Sequence, residues 1–173
     1  MIYIYIFIYL SILCYLEKIL RMNKRVSFIL CFIPLIFIIV FVRDIPDYEA
    51  YLKSYNLLNN LDDNYHINLE KGYLYISKIF YFIGLNYHFF RIILLGLILV
   101  VFSKILLEGK NLAIKFLLFY ATTFIFTVLV QYRSGLGLAL FFLFGIPFLK
   151  RNKKIYFLVL VFLLSFFHKS ILL

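Results

Sequence analysis

Tryptophan is absent from this chain, and cysteine, methionine and proline are scarce: two, two and three in 173 residues. Cys14 and Cys31 both fall in apolar runs, without the neighbours of a metal site or an activated thiol, so no disulfide and no thiol chemistry is expected. Acids are few as well, eight against eighteen bases. No carboxylate falls inside a spanning run, which argues against a coupled-ion transporter. There is no internal repeat, no glycine-rich phosphate loop and no metal-ligand cluster, so neither a cofactor nor a metal is expected. The bias toward Ile, Phe, Tyr, Lys and Asn matches an AT-rich genome rather than a function.

What the chain has in abundance is apolar surface: 65% of residues are hydrophobic and the mean hydropathy is +1.01. Soluble domains are about half apolar, so this is a membrane protein. A net charge of +10 would suggest nucleic acid in a soluble protein. Here it reflects the basic bias of cytoplasmic loops, and no nucleic-acid partner is expected.

Taken in order, Ile2–Leu16 reads as a short first crossing with the N-terminus outside. Its positive charges follow it rather than precede it, the wrong way round for a secretory signal. A start at Met22, where Met-Asn-Lys-Arg leads into an apolar run, is the alternative beginning. Glu17–Arg25 is basic and cytoplasmic, and Val26–Val42 crosses again with a kink expected at Pro34. Residues 43–87 form an outer loop holding Asp44, Asp47, Glu49, Asp62, Asp63 and Glu70, six of the eight acids. Within it Asp47–Leu58 is an amphipathic helix suited to the interface. The apolar piece Gly72–Tyr87 is interrupted by Gly84 after about a dozen residues, too short to span. Parity agrees: were it to cross, the cluster Lys150-Arg151-Asn152-Lys153-Lys154 would land outside. It is therefore read as a re-entrant or interfacial helix. His88–Leu107, Leu112–Val130, Leu136–Leu149 and Ile155–Phe167 are the remaining crossings, with an outer turn at Gln131–Ser134. The expected fold is an all-α polytopic membrane protein, one domain over residues 1–173, with about six transmembrane helices plus the outer helix. The chain stops at Ile171-Leu172-Leu173 without a polar tail, so it reads as the N-terminal part of a longer protein.

The organising stretch is Val130-Gln131-Tyr132-Arg133-Ser134-Gly135-Leu136-Gly137-Leu138-Ala139. It sets an arginine between two apolar runs, where a charge needs a partner or water and marks a site. Gly135 and Ala139, four apart, allow close approach of a second helix. The topology gathers Arg133, His168 and the acidic loop at one face. A guanidinium fork suits phosphate oxygens, and an imidazole can move a proton near neutral pH. Asp44, Asp47 and Glu70 can bind sugar hydroxyls, whereas Asp62 and Asp63 read as solvated loop. Lys78 and Arg91 are expected to snorkel to the interface. His66 and His88 have no partner evident in sequence. Tyr48, Tyr51 and Tyr73 suit an interfacial aromatic belt or a sugar-stacking surface.

These residues resemble the EpsG family of Wzy-like exopolysaccharide and capsule polymerases. The resemblance rests on Arg43 followed by Asp47-Tyr48 and Tyr51; on Glu70-x-Gly72-Tyr73 leading to Gly84-Leu85-Asn86; on Arg133-x-Gly135-Leu136-x-x-Ala139; and on Phe167-His168-x-Ser170. Ser134 and Lys71 stand where the family often has Gln and Pro. The resemblance implies a multi-pass protein of the bacterial cytoplasmic membrane that polymerises oligosaccharide repeat units carried on undecaprenyl diphosphate, on the outer face, without metal or cofactor. Its partners would be that lipid-linked oligosaccharide, membrane lipids and other polysaccharide assembly proteins. It implies catalytic roles for Arg133 and His168, and a substrate site shaped by Arg43, Asp47, Tyr48, Tyr51, Glu70 and Tyr73. The rival classes are a transporter or flippase of lipid-linked sugars, which would need a charged path through the membrane, and a non-catalytic scaffold, which would need neither Arg133 nor His168.

Overall fold

The structure is a computed structural model that describes residues 1–58 and 70–167. All regular structure among these residues is helical. The helices are α1 (Ile2–Ile19), α2 (Lys24–Phe41), α3 (Tyr48–Asn56), α4 (Lys71–Phe82), α5 (Tyr87–Leu106), α6 (Leu112–Val130), α7 (Tyr132–Lys150) and α8 (Lys154–Ser165). Five of them, α1, α2, α5, α6 and α7, are long and apolar enough to cross a bilayer. The sixth expected crossing is represented by α8, twelve residues long within the described chain.

Local chemistry sets the helix ends. Asn23 and Asn86 cap α2 and α5, their side-chain oxygens accepting from the backbone N–H of Arg25 at 2.9 Å and Phe89 at 3.0 Å. Gly84 stops α4 with φ +83°, donating to Tyr81 O at 2.9 Å while Leu85 N–H reaches Phe80 O at 3.2 Å. That paired closure needs a left-handed residue, which glycine adopts without a Cβ penalty. It holds α4 to 12 residues, about 18 Å, short of a crossing. Pro34 lies inside α2 without ending it. Both α6 and α7 contain π-helical stretches, Tyr120–Val130 and Phe141–Gly145.

Among the spanning helices, α1 and α6 pack antiparallel. Glu17 near the end of α1 accepts from Ala113 N–H at the start of α6 at 2.9 Å, and Tyr120 of α6 donates to Tyr3 O near the start of α1 at 2.8 Å. Phe28 of α2 meets Phe116 of α6, Phe102 of α5 meets Phe142 of α7, and Phe141 of α7 meets Phe157 of α8. The core runs through α5, with Phe90, Leu95, Ile98 and Leu99 buried, while α1 and α8 leave most of their apolar side chains exposed. In water such surface would be a liability; against lipid it is the expected outer band.

This packing separates the bundle into two ends. One carries the end of α1, the start of α2, the α5–α6 turn and the α7–α8 turn. It therefore holds Lys18, Arg21, Lys24, Arg25, Lys104, Lys110, Lys115, Lys150, Arg151, Lys153 and Lys154, eleven of the eighteen bases. The other end holds α3, α4 and the α6–α7 junction. The parity argument thus agrees with the geometry: α4 lies at one end and crosses nothing.

Candidate functional site

Arg133 occupies the first turn of α7. The turn expected over Gln131–Ser134 is reduced to Gln131, because Tyr132 already begins the helix. Gly135 is what permits so tight a return: a Cβ there would meet Thr127 O of α6 at 2.8 Å and Val128 Cα at 3.2 Å. The close approach expected at this glycine is therefore made with the preceding helix.

Among the described residues, two side chains from the outer loop hold the Arg133 guanidinium. Its Nε donates to the Tyr51 hydroxyl of α3 at 2.8 Å, and its Nη1 donates to Glu70 Oε2 in an ion pair. The guanidinium also sits over the Tyr51 ring, 5.3 Å from the centroid, within cation–π range. Glu70 stands at the N-cap of α4 but makes no capping bond there; its carboxylate serves Arg133 instead. The pair is neither open nor sealed, with side-chain exposures of 22% and 13%.

Behind the arginine lies a tyrosine cluster drawn from four helices. Tyr132 of α7 shares hydrogen bonds with Tyr73 of α4 at 2.9 Å and Tyr87 of α5 at 3.1 Å, all three being buried. Tyr51 stacks at an angle on Tyr132 with centroids 4.4 Å apart. Burial pushes the Tyr73 phenol up to about 12 and raises that of Tyr51. Both therefore stay neutral donors and acceptors rather than anions. The α4 helix is pinned at its first turn, where Gly72 N–H donates to Phe166 O at 2.8 Å; a Cβ on Gly72 would meet that oxygen at 2.9 Å and Phe167 Cδ1 at 3.1 Å. The end of α8 is thereby tied to the helix that carries Glu70.

Of the residues predicted from sequence, Arg133, Glu70, Tyr51 and Tyr73 come together. Tyr48 lies beside them but faces Arg91 and Tyr87. Arg43 and Asp47 are exposed and make no described contact with Arg133; Asp47 adopts φ +69° just before α3. His168, Asp62, Asp63 and His66 lie outside the described residues. Lys78 is exposed as expected, but Arg91 is not: only 1% of it is accessible. It cannot snorkel, because it sits one turn into α5 beneath α3. Sequence reasoning gives no site role to Tyr87 or Tyr132, and it sends Arg91 to the interface. The signal that could have found Arg91 is its charge inside an apolar run, the same signal that marked Arg133.

Chemically, the arrangement offers a fixed guanidinium with neutral phenols around it, suited to a phosphate or a sugar hydroxyl. No curated protein and no solved structure matches the chain. The EpsG family model matches residues 27–173, which includes every element of this site, and the chain belongs to the EpsG family.

Proposed function

We propose that this protein polymerises oligosaccharide units carried on a polyprenyl diphosphate, by glycosyl transfer at the outer face of the bacterial cytoplasmic membrane. Membership of the EpsG family points to polysaccharide biosynthesis at a membrane. The observation that carries the finer reading is the Arg133–Glu70–Tyr51 cluster at the end of the bundle opposite the eleven bases. Basic loops stay in the cytosol, so this cluster faces outward with the N-terminus, where a flipped lipid carrier presents its diphosphate.

In the reaction, the bond between the anomeric carbon of the growing chain and its diphosphate oxygen breaks. A hydroxyl of the next lipid-linked unit forms the new glycosidic bond and gives up its proton. The departing diphosphate keeps the electron pair, and Arg133 stabilises the charge that develops there. Glu70 and Tyr51 hold the guanidinium plane, and the neutral tyrosines offer hydrogen bonds and flat surfaces to sugar. The family resemblance gives His168 the acceptor proton, and gives Arg43, Asp47 and Tyr48 to the sugar path.

The test is polymer length on a gel, in a strain lacking the full-length gene and complemented with variants. Arg133→Ala, inserted at normal level, should abolish long polymer. Arg133→Lys should fail too, since a lone ammonium cannot reproduce bonds made separately through Nε and Nη1. Unchanged polymer with either would remove Arg133 from the mechanism. A flippase would instead accumulate unpolymerised units on the inner leaflet.

A further inference from the structure

The geometry points to Arg91 as a second anion-binding position, one that takes a phosphoryl oxygen of the same diphosphate ligand. This rests on the polymerase reading for the identity of the ligand, but not for the existence of the site. Arg91 is the largest fully buried side chain among the described residues. Its Nη1 donates to Ile39 O at 3.3 Å, while its Nη2 is buried with no hydrogen-bond partner among those residues. The Tyr48 ring lies 5.5 Å from the guanidinium carbon. No described carboxylate pairs with it; the one ion pair among the described residues belongs to Arg133.

An ionised guanidinium in that position is costly, and natural proteins meet the cost with a counter-charge or a ligand. A structural role does not need a charge here, because an apolar side chain would fill the space at lower cost. One helical turn away on the same face of α5, His88 Nδ1 is also buried without a partner. Two buried side-chain nitrogens without a described partner thus share one helix face.

Arg91 also lines a slit with Tyr48, Tyr51, Tyr87 and Tyr132 that is too narrow to hold even a water molecule as it stands. Tyr51 is the residue that Arg133 grips, so one wall separates the two guanidinium groups. A diphosphate carries two phosphoryl groups, and two arginines flanking a tyrosine wall match that chemistry better than a monophosphate does. For an anion to reach Nη2, α3, a nine-residue helix, would have to part from α5.

The experiment uses the full chain in nanodiscs of neutral lipid, with farnesyl diphosphate, farnesyl monophosphate and inorganic pyrophosphate as probes, followed by calorimetry and thermal unfolding. Wild type should prefer farnesyl diphosphate over the monophosphate. Arg91→Met should weaken the diphosphate about 10-fold or more while leaving the monophosphate nearly unchanged and the melting temperature equal or higher. Arg91→Lys should recover part of the affinity. A fall in melting temperature with unchanged diphosphate affinity would make Arg91 half of a structural ion pair and overturn the proposal. Equal weakening of both probes would also overturn it as a second phosphoryl position. Binding of pyrophosphate as tight as farnesyl diphosphate would assign the site to free phosphate rather than a lipid headgroup. Arg91-dependent diphosphate binding, with long polymer unchanged in the strain lacking the gene, would keep the site and sink the polymerase reading; Arg133-dependent binding and polymer, indifferent to Arg91→Met, would do the reverse.

Discussion

Removing the Glu70 carboxylate should destabilise the protein measurably, and removing Arg133 as well should restore part of the loss. Glu70→Gln keeps size and hydrogen-bonding capacity but removes the carboxylate charge that the guanidinium meets among the described residues. A fully buried pair broken on one side costs about 3–5 kcal/mol, and an exposed one about 0–1 kcal/mol. With 22% and 13% of the two side chains exposed, the pair lies between these limits, nearer the buried one. Tyr51 still accepts from Nε in the variant, which lessens the loss, so about 1–3 kcal/mol is expected. For a chain of this length that is roughly 4–8 °C in melting temperature near the middle of the range. The assay is thermal unfolding in matched micelles of wild type, Glu70→Gln, Arg133→Met and the double variant. The double variant should lie above Glu70→Gln, because no uncompensated charge remains, with a coupling of about 1–3 kcal/mol. Polymer should not return with stability, since the guanidinium is gone. Single losses that simply add in the double variant would show that the two groups are not coupled. The account of why Glu70 leaves its capping position would then fail.

Gly72→Ala should loosen α4 from α8, since its Cβ would meet Phe166 O at 2.9 Å; about 1–3 kcal/mol is expected from such overpacking. Protease cleavage near α4 should accelerate, and an unchanged cleavage rate would mean that the contact is dispensable. Tyr73, held up to about 12 by burial, binds its proton more tightly folded than unfolded. An unfolded tyrosine titrates at about 10, so the stability tied to this proton is intact below that pH and is lost as pH climbs toward about 12. Tyr73→Phe should flatten that alkaline fall in a stability-against-pH curve; an unaltered curve would place the fall elsewhere. With Cys14 and Cys31 replaced, Gln131→Cys should react with an impermeant thiol reagent in intact cells, whereas Arg151→Cys should react only after the membrane is opened. The opposite pattern would invert the bundle and put the site in the cytosol.

Much of the fold was legible because bilayer thickness disciplines the sequence. Apolar runs near the spanning length became α1, α2, α5, α6 and α7, and the placement of lysines showed that α4 could not cross. Gly84 gave the end of that helix for a local reason, the left-handed cap. The site was legible where a charge stood alone between apolar runs, as at Arg133. Its partners were harder. Tyr73 and Tyr132 are 59 positions apart, Tyr87 and Tyr132 are 45 apart, and nothing in either neighbourhood separates a buried phenol from one in an interfacial belt. Tyr73 and Tyr51 were named through family pattern, while Tyr132 and Tyr87 carried no such flag. Arg91 misled for a physical reason: a long side chain near a helix end usually reaches water, and only the cover supplied by α3 prevents it.

That cover also explains why so many tyrosines collect here. A guanidinium near the membrane surface needs neighbours that tolerate lipid on one side and charge on the other. Carboxylates satisfy the charge, but an abundance of them would cancel the field that an anionic ligand feels. Phenols with raised pKa values supply a polar tip and a π-face without adding negative charge. The two arginines then differ in their tether and in their exposure. Arg133 is tethered by a carboxylate and partly open, so a ligand must compete with Glu70 for it. Arg91 is closed over and has no acid to displace among the described residues. A diphosphate arriving at this end would meet the tethered group first and gain the second by shifting α3. Affinity should therefore be lost in steps as the two are removed, with Arg133 governing capture and Arg91 governing how long the ligand stays.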